Sequence, residues 1–203
     1  MKDIFLKSFS YLFHPVFIPF LGVVFYFSKT RRSIPQELLY AKLFSVFILT
    51  VILPILIFFF LRTLKVITSF NTLELKERAY PLLINCFILI LILYRVFPRQ
   101  DITGLYFFFL GLLCATLVCF LLIFMRIKAS LHLMGMTSFF IFCILVGIYY
   151  QKNINGTVAL LLFCLGGLAT SRLHLKAHTI KELICGAMIG GIPQLGLFYF
   201  WVE

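Results

Sequence analysis

Long apolar runs recur along this chain between short polar breaks, and seven of them approach the ~20 residues that carry a helix across a hydrocarbon layer. They fall at roughly 11–28, 43–64, 81–97, 103–125, 132–150, 157–170 and 183–201. His14, Pro15 and Pro19 interrupt the first half of the first run, and the histidine is expected to cap or kink that span or to line a cavity. Pro54 and Pro193 predict kinks in the second and seventh runs, because proline removes a helix donor and crowds the preceding turn. The break at 29–42 holds Lys29, Arg31, Arg32, Pro35, Glu37 and Lys42 and is expected as a wet loop or interfacial turn. The stretch 65–81 is expected as a partly amphipathic surface segment. The short join PRQDIT at 98–103 makes spans three and four antiparallel neighbours.

Composition sharpens this pattern into a fold class. Of the 203 residues, 63% are hydrophobic and 12% charged, whereas a soluble domain carries about a quarter charged residues. The expected fold is all-α: one integral membrane domain over 1–203, a polytopic transmembrane helical bundle of six to seven spans. The net charge of +11 is spread singly or in short groups between apolar runs, a placement that suits bilayer lipids or an anionic lipid and excludes a nucleic-acid surface. The six cysteines lie in apolar segments without a Cys-x-x-Cys pair, as small buried residues do. Two early lysines precede an apolar run with no small-residue cleavage site, the pattern of a retained first membrane segment. Trp201, with Tyr199 near it, is expected as an interfacial anchor, and Gly186 and Gly190 as a close helix contact.

Counting spans brings three polar clusters together. Two spans separate the 76–81 region from 128–135, and two more separate that region from 171–182, so all three emerge on one membrane face. That face carries 11 of the 18 Lys and Arg residues and the opposite face 7. With Lys76, Arg78, Lys128 and Arg172 set aside for chemistry the two faces carry 7 each. The expected location is a bacterial inner membrane.

The densest cluster is Ser171 to Glu182, SRLHLKAHTIKE. His178 and Glu182 stand four apart, which on a helix places both on one face. A carboxylate beside an imidazole fixes its tautomer and raises its basicity, and an imidazole so held is a nucleophile. Arg172 offers a bidentate fork to phosphate oxygens, and His132 is the second histidine, placed to protonate a leaving oxygen. Lys76, Arg78, Lys128 and Ser130 can neutralise the remaining phosphoryl charge. Lys128 is equally suited to snorkelling at a span end, and His174 and Lys176 to headgroup contact.

SRLHLKAHTIKE resembles the third signature of the type 2 phosphatidic-acid phosphatase superfamily, which reads Ser, Arg, five residues, His, three residues, Asp. Ser171, Arg172 and His178 keep that spacing, and Glu182 stands in place of the aspartate. The second signature, Pro-Ser-Gly-His, is matched by ASLH at 129–132 in Ser130 and His132, with Ala129 and Leu131 departing from it. The first, Lys, six residues, Arg-Pro, survives only as Lys76 and Arg78 close before Pro81, with Leu73 at the lysine position and Tyr80 before the proline. The likeness covers about 70–203. It implies metal-independent hydrolysis of a lipid phosphate or polyprenyl diphosphate without a cofactor. In that scheme His178 forms a phosphohistidine, Glu182 orients it, His132 protonates the leaving group, and Arg172, Ser130, Ser171, Lys76, Arg78 and Lys128 hold phosphate. The alternative is an inactive member that binds lipid headgroups or serves as a structural subunit of a membrane complex.

Overall fold

A computed structural model describes residues 8–30, 34–67, 75 and 77–202. Each predicted span is a helix: α1 (Ser8–Lys29), α2 (Gln36–Thr63), α3 (Ala79–Val96), α4 (Thr103–Phe124), α5 (Leu131–Tyr149), α6 (Asn155–His174) and α7 (Ile180–Val202). All seven are long and apolar enough to cross a membrane. Phe60, Phe87, Phe124 and Phe163 stand outward, which suits a hydrocarbon solvent and not water. These are the helices of an integral membrane protein.

Two connections are shorter than the sequence suggested. Pro35 caps α2, whose first turn carries Glu37 at the positive end of the helix, so Lys42 lies on a helix and not in a wet loop. Its Nζ donates to the Val96 carbonyl at 2.6 Å and to Asp101 at 3.3 Å, satisfying the exposed carbonyl end of α3. Similarly α6 continues to His174, which places Ser171 and Arg172 on its last turns. The surface segment expected at 65–81 falls largely on 68–74 and 76, outside the described residues.

The prolines act locally. Ahead of Pro54 the helix widens into a π turn over Ile48–Ile52, with Leu53 N bonded to the Ile48 carbonyl. That extra residue per turn relieves the clash of the ring with the preceding turn. At His14 and Pro15 the helix breaks into a single 3-10 turn, Pro15–Phe17, before resuming at Ile18.

Helices α4 and α5 lie innermost. Toward the end of the bundle where α4 begins and α5 stops, Phe108 stacks on Phe142 with centroids 4.2 Å apart, and Tyr26 and Trp201 stack on the same ring. Trp201 is therefore a core residue, not the expected interfacial anchor: α7 turns it inward against Gly104, where a Cβ would lie 2.6 Å from its ring. All six cysteines are free.

At the opposite end α7 meets α5 backbone to backbone. A Cβ at Gly186 would overlap the Ser130 carbonyl, and one at Gly190 the Met134 carbonyl. The expected close contact is therefore made, with α5 as its partner. The Ser138 hydroxyl donates to the Gly190 carbonyl at 2.9 Å and Ser130 N donates to the Glu182 carbonyl at 3.1 Å. Gly190→Ala should destabilise the bundle by about 2 kcal/mol, because the overlapped atoms are backbone and cannot swing aside. Gly196→Ala, in open space, should instead raise stability by about 0.5–1 kcal/mol, as alanine does in a helix. Thermal midpoints in detergent check both, and equal shifts for the pair would refute the close-contact account.

Candidate functional site

The site begins with how three helices end. α2, α4 and α6 finish on the same face, each with a base in the left-handed conformation: Lys65 (φ 58°), Arg126 (φ 58°) and Lys176 (φ 50°). Each closes a Schellman turn, and in the last one Lys176 N bonds to the Leu173 carbonyl at 2.9 Å and Ala177 N to the Arg172 carbonyl at 3.1 Å. This turn reverses the chain within a few residues, so His178 comes back beside the helix that carries Arg172. A cation at each such end also complements the negative pole of the helix dipole.

The chain then enters α7 through a capping box. Glu182 N donates to Thr179 Oγ1 and Thr179 N to Glu182 Oε2, both at 3.4 Å, the reciprocal pair that a Thr-x-x-Glu start produces. His178 therefore sits just ahead of the helix and not on it, as four-residue spacing alone had suggested. The pair still forms: His178 Nδ1 lies 2.6 Å from Glu182 Oε2. Burial pushes the His178 imidazole below its ordinary 6.5, to about 4; the Glu182 bond opposes this, and Lys128, Arg172 and Arg78 reinforce it. The neutral ring donates Nδ1–H to the carboxylate and keeps a lone pair on Nε2.

Around this pair lie three cations. Arg78 stands at the entry to α3, and its burial holds the guanidinium below its ordinary value against the pull of Glu182. Lys128 donates from Nζ to the Ala177 carbonyl at 2.9 Å, tying the start of α5 to the α6–α7 turn. Arg172 is within electrostatic reach of Arg78, His14, His132 and His178. Its Nε is buried and has no hydrogen-bond partner among the described residues.

Of the other residues singled out from the sequence, Ser130 caps α5, its hydroxyl accepting from Leu133 N at 3.5 Å. Ser171 Oγ lies 2.8 Å from Ser10 Oγ. Both serines are fully buried; the Ser130 hydroxyl caps its own helix, and the Ser171 hydroxyl joins α6 to α1. His132 Nε2 lies 3.2 Å from the Ser10 carbonyl and donates to it, which leaves Nδ1 as its second titratable nitrogen. Lys76 lies outside the described residues. Among those residues no group of three or more His, Cys, Asp or Glu is arranged to hold a metal ion.

The residues that sequence reasoning left out of the site come from α1. Because the helix breaks before Pro15, His14 N turns to the Tyr11 carbonyl, and the Ser10 carbonyl is released to His132. His14 itself lies edge-on to His132, with ring centroids 5.2 Å apart. The signal was present as a His-Pro pair in an apolar run.

No protein-family model, curated protein or solved structure matches this chain. The site is defined by its own chemistry: three cations and three imidazoles about one carboxylate that is already paired. Acidification should reveal the neutral imidazole. An unfolded histidine binds its proton near pH 6.5 and folded His178 near pH 4, so the unfolded state holds more protons between those values. This group's contribution to stability should therefore fall as pH drops from 6.5 to 4 and rise as pH is restored. Nitrogen-15 NMR of histidine-labelled protein should show His178 neutral at pH 6, and a midpoint at or above 6.5 would refute this electrostatic account.

Proposed function

We propose that the protein is a metal-independent phosphatase of membrane lipids, acting on a lipid phosphate or polyprenyl diphosphate through a phosphohistidine. The observation that carries this reading is the buried Nε of Arg172, which has no partner among the described residues and lies among like charges. A buried donor without an acceptor costs about 1–3 kcal/mol, and two neighbouring guanidiniums repel. A phosphoryl group entering the site relieves both. Phosphoryl transfer needs little else from a protein than such positioning and charge.

In the proposed reaction His178 Nε2 attacks phosphorus as the bond to the lipid oxygen breaks. Nδ1–H stays on Glu182, which stabilises the imidazolium character that develops. His132, which takes up a proton on Nδ1 together with the incoming anionic substrate, keeps Nε2–H on the Ser10 carbonyl and gives the Nδ1 proton to the departing oxygen. Water then attacks the phosphohistidine, His132 Nδ1 takes the proton, and phosphate leaves. Arg172, Arg78 and Lys128 neutralise the phosphoryl oxygens, and the resemblance assigns Lys76 to the same service. The apolar flanks of the helices let the lipid chain remain in the bilayer. A second reading, a headgroup binder without catalysis, is favoured by the engagement of His132 with a backbone carbonyl.

The test is phosphate release in chelator by detergent-purified protein from phosphatidic acid, phosphatidylglycerol phosphate and undecaprenyl diphosphate. His178→Ala should abolish release, and Glu182→Gln should lower kcat about 10²-fold while leaving the fold intact, since glutamine also completes a capping box. Release that persists in His178→Ala would overturn the mechanism. Binding of these lipids without turnover would favour the second reading.

A further inference from the structure

The phosphatase resemblance covers about 70–203, and its signature residues assign no role to the first span. The structure nevertheless puts α1 into the cluster twice. The Ser10 carbonyl accepts from His132 Nε2, and the Ser10 hydroxyl shares a hydrogen bond with that of Ser171. His14 lies edge-on to His132 and within electrostatic reach of Arg172. The break before Pro15 is what aims the residue there: the 3-10 turn Pro15–Phe17 starts from His14, whose backbone is extended at φ −65°, ψ 137°.

The same turn fixes its tautomer. Val16 N donates to His14 Nδ1 at 3.4 Å. A backbone N–H has only a proton to offer, so Nδ1 presents its lone pair and the ring proton sits on Nε2. Among the described residues Nε2 makes no hydrogen bond. Charging this ring would set an Nδ1 proton against the Val16 proton, which makes His14 unsuited to the acid–base work assigned to His132. What remains is a neutral donor, oriented by its own backbone, within electrostatic reach of a guanidinium whose buried Nε has no hydrogen-bond partner among the described residues.

We infer that His14 is a third imidazole of the anion site, donating Nε2–H to a phosphoryl oxygen, so that α1 is part of the site. This rests on the reading of the cluster as a phosphate site. It predicts that the anion contact from α1 adds no charge and is insensitive to the protonation of His132 and His178. The ligand class is a tetrahedral or trigonal-bipyramidal oxyanion held by Arg172 on one side and His14 on another.

Two substitutions separate this role from helix capping. In His14→Asn the side-chain carbonyl still accepts from Val16 N, as asparagine does at such caps, but no donor reaches the Nε2 position. In His14→Gln the amide nitrogen falls near the place of Nε2. Binding of inorganic phosphate and of orthovanadate to the full-length protein in detergent is measured by calorimetry, beside the thermal midpoint. The expected result is that His14→Asn keeps the midpoint and weakens binding about 10-fold, the order of a hydrogen bond to a charged ligand. His14→Gln should recover affinity to within about 3-fold of wild type. If wild type binds, Arg172→Ala does not, and His14→Asn binds like wild type, the inference falls while the phosphate site stands. If His14→Asn and His14→Gln lose affinity only as their midpoints fall, His14 is a cap and the inference falls. If wild type binds neither anion, the phosphate site itself fails and takes the inference with it.

Discussion

The close approach of α7 to α5 sets the position of everything chemical in this protein. Glycine at 186 and 190 lets the two backbones touch at Ser130 and Met134, and the approach is then locked by Ser130 N on the Glu182 carbonyl and by Ser138 on the Gly190 carbonyl. In hydrocarbon, helices gain little from burying apolar surface against each other, so such contacts and hydrogen bonds carry the association. Rotating α7 by one residue would drive a side chain into a carbonyl. The register is therefore fixed where His132 begins one helix and Glu182 the other. At the far end the stacked Phe108, Phe142, Tyr26 and Trp201 close the bundle with rings. One end is sealed and the other polar.

How much of this could be read from the sequence depends on the range of the physics involved. Hydropathy is local and strong, so all seven spans were legible, and parity alone put the three polar clusters on one face. The ends were less legible because capping is a contest of a few kcal/mol among neighbouring residues. Lys42 became helical by finding a carbonyl on a neighbouring helix, and His178 fell outside α7 because Thr179 and Glu182 start the helix between them. Trp201 looked like an anchor because interfacial and core tryptophans have the same sequence neighbours; the space beside Gly104 decides, and that is tertiary. Ser10 was missed for the same reason, and His14, expected as a cap, a kink or a cavity residue, was not placed against His132. Their break is visible as His-Pro, but which helix faces it depends on packing across more than a hundred residues.

The electrostatics follow from these placements. Arg78, Lys128 and Arg172 converge near one carboxylate, and that carboxylate already serves His178 and Thr179. Inside a low-dielectric bundle mouth such an excess of positive charge is costly when unpaired. Helix geometry supports it from behind: Lys128 is bonded to the Ala177 carbonyl, and Arg172 rides the last turns of α6, near the negative end of its dipole. The site is thus held in a cationic state by backbone dipoles that an incoming anion does not have to displace. Under the proposed function, that is what would preorganise it for an oxyanion.

Glu182 shows why a departure from the signature it resembles need not be a defect. Where the resemblance expects aspartate four residues after the histidine, this chain has one more methylene. The structure supplies a reason for the extra length. His178 is not one helical turn below residue 182 but ahead of the helix start, and the side chain must reach back across Thr179 to meet it. At the third position of a helix, glutamate or glutamine makes that backward reach in a capping box. The Oε2 atom of Glu182 then receives both the Thr179 N–H at 3.4 Å and His178 Nδ1 at 2.6 Å. One carboxylate thereby starts the helix and orients the imidazole, so the position of the proposed nucleophile is set by the same interaction that begins α7.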